Sequence, residues 1–183
     1  MHIFMIGGKT AIGKSPDGCI ISMEVFTVSF FGHRIVTDYH SAEKRLEHLI
    51  VELLHKKTYV EFLVGRDGEF DQLVSSTVLR CKRTIRDDNS SLVWVLPYET
   101  AELRENNDAF REYYDEIEIC NMSSIVHFKA AHQIRNRQMV DRSGLIVFYV
   151  ERNSGGAYQT LRYAEKQEKA YINISDKSMG DSE

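Results

Sequence analysis

Proline is nearly missing from this sequence: Pro16 and Pro97 are its two prolines in 183 residues, and glycine numbers eleven. With so little of either, no stretch reads as a flexible linker, a low-complexity tract or a collagen-like repeat. Cysteine is scarce too. Cys19, Cys81 and Cys120 are odd in number, far apart and without a CxxC pair, which argues against a disulfide framework and a zinc site and fits a reducing cytoplasm. No run of about 18 apolar residues exists, and the start lacks the apolar region and small-residue cleavage site of a secretory signal, so neither membrane insertion nor secretion is expected. Positive charge is not in excess. With 23 Lys and Arg against 27 Asp and Glu the net charge is -4, from which neither general nucleic-acid binding nor membrane-surface binding is expected. The basic run Arg80, Lys82, Arg83, Arg86 is followed at once by Asp87 and Asp88 and reads as a solvated helix end.

What the chain does have is an alternation of two periods. Residues 25–31 (VFTVSFF) form a β-branched and aromatic run that stops at Gly32, as a buried parallel strand would. Ser41 reads as an N-cap, after which Leu46, Leu49, Ile50, Leu53 and Leu54 recur at helical spacing. The pattern repeats with a strand at 59–64, a glycine loop at 65–69 and a helix at 70–83, and then a strand at 92–96 ended by Pro97. Residues 101–114 are polar and partly helical, and 116–119 read as a short strand. A helix at about 124–142, a strand at 145–150, a loop holding Gly155 and Gly156, a helix at 158–169 and a strand at 171–174 complete the chain. Such alternation predicts an α/β class: a Rossmann-like, doubly wound, mainly parallel sheet with helices on both faces. The domain reading is an extension or leader at 1–22, open between a hairpin added to the sheet, a flexible extension and an upstream reading of a gene whose natural start is Met23, then the folded domain at 23–175 and a polar tail at 176–183.

In such sheets ligands bind beyond the carboxyl ends of the strands. The loops of interest are therefore Gly32-His33-Arg34, Gly65 to Glu69, and Asn153 to Gly156. Two of them set glycine directly before a helix, where backbone N–H groups and the positive dipole end can face a phosphate; the plainer reading is that these glycines only permit tight turns. FFGHR (30–34), VGRDGEFD (64–71), RNRQMVDRSGLIVFYV (135–150) and GGAYQTLRYA (155–164) resemble, in order and spacing, the SLOG superfamily and especially its YpsA-like branch. The resemblance implies a pocket for a nucleotide, nucleotide sugar or related phosphoribosyl ligand. Carried over by position, its candidates are Gly32, His33, Arg34, Gly65, Gly68, Glu69, Asp71, Arg135, Asn136, Arg137, Gly155 and Gly156, with Met139 and Val140 as core. Arg34 and Arg137 are the guanidinium groups expected to meet the phosphate.

The superfamily's LOG-type phosphoribohydrolases resemble a pattern in which GGxGT precedes a catalytic glutamate. Here Tyr158 stands for the third glycine of that pattern, Gln159 for the threonine and Arg162 for the glutamate, so that route to N-glycosidic cleavage is not expected. Three function classes follow: a nucleotide-ligand sensor or binding protein, an N-glycosidic hydrolase whose acid is relocated to Asp71 or Glu69, and a protein-interaction scaffold. A homo-oligomer is compatible with each, and no cofactor is called for. Residues 8–15 match GxxxxGK[ST] letter for letter, but Pro16, Asp17 and Gly18 follow where a helix should start, which counts against a phosphate loop. His127 and His132 are five apart, a spacing that does not put both on one helix face, so no metal site is expected there.

Overall fold

The computed structural model describes residues 3–6, 10–14, 20–120 and 128–175. Its strands are β1 (Ile3–Ile6), β2 (Thr10–Lys14), β3 (Ile20–Gly32), β4 (Tyr59–Val64), β5 (Ser90–Leu96), β6 (Glu116–Ile119), β7 (Leu145–Tyr149) and β8 (Tyr171–Asn173). Its helices are α1 (Tyr39–Lys56), α2 (Glu69–Thr84), α3 (Ala101–Glu105), α4 (Asn107–Tyr113), α5 (Phe128–Arg142) and α6 (Gly155–Lys166). Six strands pair in parallel in the spatial order β6-β5-β4-β3-β7-β8. The expected α/β, Rossmann-like class is the observed one.

Period two explains the layering. Along β4, Val60, Phe62 and Val64 join one buried cluster with Leu46, Ile50 and Leu54 of α1 and Phe70, Val74 and Val78 of α2. Leu63 faces the other way and packs with Met139 and Val140 of α5 and Leu161 and Ala164 of α6. Phe30 and Phe31 of β3 divide between the same two clusters. Helices therefore cover both faces, and the central strands are apolar on both.

Three local readings need correction. The N-cap of α1 is Asp38, whose side chain accepts the Ser41 N–H at 3.2 Å, so Ser41 supplies the backbone donor and not the cap. The basic run is not uniformly solvated: Lys82 is 4% exposed, and its Nζ lies 2.5 Å from Oδ2 of Asp115, which also accepts the Leu92 N–H at 2.7 Å. A buried ammonium persists because the Asp115 carboxylate, itself fixed by the Leu92 N–H, pairs with it, with the Asp87 carboxylate 3.8 Å away. The late helix begins at Gly155, three residues before the expected start.

Within the segment 1–22, residues 3–6 and 10–14 are strands. β1 and β2 form an antiparallel hairpin whose second strand pairs with residues 20–24 of β3, whereas β4 and β7 pair with residues 25–32. Residues 10–14 of the GxxxxGK[ST] match lie in extended strand, a backbone that does not wrap a phosphate; residues 8, 9 and 15, the proposed tail at 176–183 and the helix start at 124–127 with His127 lie outside the described residues. Since the parallel ladders begin at Val25, deleting residues 1–19 should leave a cooperative thermal transition within a few degrees of the full chain; non-cooperative melting of the truncated protein would show that the hairpin is integral.

Candidate functional site

The strand order sets the site. From β3 the chain steps outward through β4, β5 and β6, then returns across the sheet to place β7 on the other side of β3. The loops after β3 and β7 diverge at this switch point and leave a crevice above the sheet. A cleft of about 640 Å³ opens there, reached by the loops after β3, β4 and β7 and floored by α5.

Gly32, His33, Arg34, Gly65, Asp71, Arg135, Asn136, Gly155 and Gly156 line this cleft. Gly68, Glu69 and Arg137 do not. Gly68 lies under the first loop, where an added Cβ would stand 2.6 Å from the Arg34 Cα. Glu69 faces that loop too, its N–H donating to the Arg34 carbonyl at 2.8 Å and its Oε2 accepting the Val36 N–H at 3.0 Å. Arg137 is exposed and rests on the Tyr163 ring, 5.2 Å from its centroid. Helical geometry is the reason. Ala131, Arg135 and Met139 are four apart and share the buried face of α5, so Arg137, two residues from Arg135, falls on the opposite side.

Four polar residues of the cleft escaped the sequence reading as site members: Asp67, His132, Arg152 and Ser154. His132 had a usable signal, since it stands three and four residues before Arg135 and Asn136 on one helix face. Arg152 had none beyond its closeness to the glycine pair.

The two glycine loops are not equivalent. At α2 the first turn is acidic, with Glu69 and Asp71, and Asp71 Oδ2 accepts the Asp67 N–H at 2.8 Å, so the protein's own groups already complement that helix end. At α6 no acid occupies the first turn, and the N-cap Ser154 makes no side-chain capping bond. Gly155 has φ +90°, and nothing stands within 4 Å of where a Cβ on Gly155 or Gly156 would lie. The α6 end therefore presents N–H groups to open space in the cleft. Arg34 and Arg152 stand exposed at the same cleft, and no ion pair among the described residues uses either.

The floor is a polar network with its charges already paired. Arg135 is 5% exposed; it donates to Asp67 Oδ2 at 2.7 Å, to the Val95 carbonyl at 3.1 Å and to Asn136 Oδ1 at 3.0 Å. Asn136 in turn donates to Thr160 Oγ1 at 3.0 Å and ties α5 to α6. Burial works to raise the Asp67 carboxyl, but the charge and hydrogen bond of Arg135, with His132 and Arg34, outweigh it and hold the group below its ordinary value. Asp71 goes the other way: burial pushes it up to about 6, against the backbone N–H bonds from Asp67 and Gly68 and the charge of Arg135. His33 is lowered, by burial first and by Arg152 second, and its Nε2 accepts the Arg152 N–H at 3.1 Å. It is thus neutral at pH 7 with its proton on Nδ1, and it ties the β3 loop to the β7 loop. Burial, ahead of Arg135 and Arg34 and against Asp67, also lowers His132.

Among the described residues no group of three or more His, Cys, Asp or Glu side chains assembles as a metal site, and no helix is long and apolar enough to cross a membrane. Arg162, at the position of the expected glutamate, is exposed and pairs with Glu165 on α6.

No family model and no curated protein matches the sequence. Solved structures do match in fold. DNA processing protein A from Helicobacter pylori, described with a single-stranded DNA binding mode, aligns at TM-score 0.55 and 16% identity over 80% of this chain and 63% of its own. DNA processing protein A from Streptococcus pneumoniae aligns at TM-score 0.57 and 13% identity, over 80% of this chain and 49% of its own. The chain thus spans less than two thirds of the length of the first and about half of the second. One expectation is overturned: the exclusion of nucleic acid as a partner, read from a net charge of -4, does not stand when a protein of the same fold binds single-stranded DNA. Net charge sums over the whole surface, whereas binding depends on the local field at one strand edge. The chain has the Rossmann-like α/β fold of these proteins, with its cleft at the switch point of the sheet.

Proposed function

We propose that the cleft binds the phosphate of a nucleotide, with Gly155 and Gly156 as backbone donors and Arg34 and Arg152 as the compensating charges. The observation that carries this reading is the open, acid-free start of α6 beside two arginines that pair with no described residue. A phosphate brings one to two negative charges; backbone N–H groups hydrogen-bond it, and guanidinium groups neutralise it. The SLOG-like motifs and the Rossmann-like fold support the same ligand class, nucleotides and their phosphoribosyl relatives.

Replacing Arg34 or Arg152 with alanine should weaken binding of a nucleoside monophosphate about 10- to 100-fold, the value of one charged hydrogen bond. Isothermal titration measures it. Arg137→Ala and Arg80→Ala are controls expected to change affinity by about twofold or less, since Arg137 lies on Tyr163 and Arg80 pairs with Glu43 and Glu47. Equal loss in all four variants would mean a diffuse charge effect and no site.

A second reading takes the ligand as a phosphate of single-stranded DNA, favoured by the fold likeness to the Helicobacter pylori protein. Fluorescence anisotropy of a labelled oligonucleotide separates the two. Tight, steeply salt-dependent binding of the oligonucleotide, reduced in Arg34→Ala and Arg152→Ala while mononucleotides bind weakly, would favour the strand.

A further inference from the structure

We infer that Asp67 makes the cleft selective for a ribonucleotide over its 2′-deoxy counterpart, an inference that rests on the nucleotide reading above. Asp67 lies three residues beyond β4, which borders β3 on the side away from β7. The ends of β4 and β7 are two strand spacings apart, roughly 10 Å. A nucleotide with its phosphate over Gly155 and Gly156 therefore lays its sugar across the end of β3, toward Asp67.

The Asp67 carboxylate is suited to one kind of partner. Its Oδ2 is anchored by Arg135 at 2.7 Å, and Arg135 is itself immobilised by the Val95 carbonyl and Asn136. Its Oδ1 receives no hydrogen bond from any described residue, while the side chain keeps 42% of its surface where it lines the cleft. An ionised carboxylate accepts and does not donate, so it repels phosphate oxygens and base carbonyls and takes a hydroxyl or amino hydrogen. On the ligand, the sugar hydroxyls lie between phosphate and base, the stretch that crosses from α6 to Asp67. A site built around a hydroxyl leaves its own acceptor unpaired when the hydroxyl is missing, and that loss is the source of discrimination.

The test compares AMP and UMP with their 2′-deoxy forms by titration calorimetry on the full chain, with inorganic pyrophosphate as a probe of the phosphate end alone. Both ribonucleotides should bind about 10-fold or more tightly than their deoxy counterparts. Asp67→Ala should bring each ratio to about one; because the ratio compares two ligands with the same phosphate, it is independent of the change in anion affinity that releasing Arg135 brings, which pyrophosphate measures by itself. If the variant fails to fold, the ratio in the unaltered protein decides by itself. Equal binding of ribose and deoxyribose forms would overturn the inference and leave the nucleotide reading intact. A preference that follows the amino group of AMP, with UMP and its deoxy form alike, would assign Asp67 to the base and overturn it as well. Failure of all four nucleotides and of pyrophosphate to bind would remove both.

Discussion

Replacing Gly32 with alanine should lower the unfolding free energy by about 3 kcal/mol, the upper range for forcing one methyl into a filled core. An added Cβ would stand 2.3 Å from Phe70 Cγ and Cδ1 and 2.7 Å from Phe70 Cβ. Phe70 is 1% exposed, belongs to the first turn of α2 and stacks on Tyr149 with ring centroids 5.6 Å apart. It cannot withdraw without moving the start of the helix. Gly156→Ala is the contrasting case, with nothing within 4 Å of the new methyl, and its stability should change by less than about 0.5 kcal/mol. Urea unfolding of both variants decides the matter: wild-type stability in Gly32→Ala would mean that Phe70 repacks freely. The glycine that ends β3 is thus explained by packing, although it also borders the cleft.

The second large effect lies in pH. Asp71 has an ordinary value of 3.8 and is raised to about 6 in the folded protein. Below about pH 4 the group is protonated in both states. As pH rises from about 4 to 6 the unfolded chain releases its proton first, so the folded state loses stability across that window and the loss is complete above it. A rise of that size corresponds to an upper bound near ~3 kcal/mol; because Asp71 retains some exposure in a cleft that admits water, we expect about 1–3 kcal/mol. Asp67 and His33 titrate with the opposite sign, since their folded values are lowered: Asp67 adds stability above pH 4 that is lost on acidification, and His33 adds stability above about pH 6.5 that is lost as pH falls through its folded value. The raw profile mixes all three, but the difference between wild type and Asp71→Asn isolates one. Asparagine keeps an oxygen for the Asp67 N–H, and its advantage over aspartate should grow between pH 4 and 6 and then level off. A difference independent of pH would show that Asp71 ionises as it does in the unfolded chain.

The shifted carboxyls also bear on chemistry. Asp67 is held ionised by a buried guanidinium, while Asp71, four residues on, retains its proton to higher pH. Environments that push two neighbouring acids apart are a known means of dividing proton-accepting from proton-donating roles. In this chain the Asp71 oxygen also holds the backbone of its own loop, so loop geometry and protonation are coupled through one atom.

Sequence periodicity by itself determined the layers of this protein. The doubled alternation of residues 25–31 and 59–64 requires burial on both faces, and the helical spacing from Leu46 to Leu54 supplies one of the covers. It also determined the loops at which the cleft opens, because a parallel sheet puts its crevice at the carboxyl ends of its strands. Tertiary structure alone decided which polar groups are free there. Arg34, Arg135, Arg137 and Arg152 carry the same charge in the sequence, yet one is spent on Asp67 and Val95, one leans on Tyr163, and two remain at the cleft. Likewise Gly65-to-Glu69 and Asn153-to-Gly156 read alike as glycine loops before helices, but the acids of α2 accept N–H groups of their own loop and of the loop after β3, while α6 stays open. The physical reason is that a charge is consumed by the partner nearest in space, and those partners, 68 residues apart for Asp67 and Arg135, are fixed by the strand order and not by the chain's local pattern.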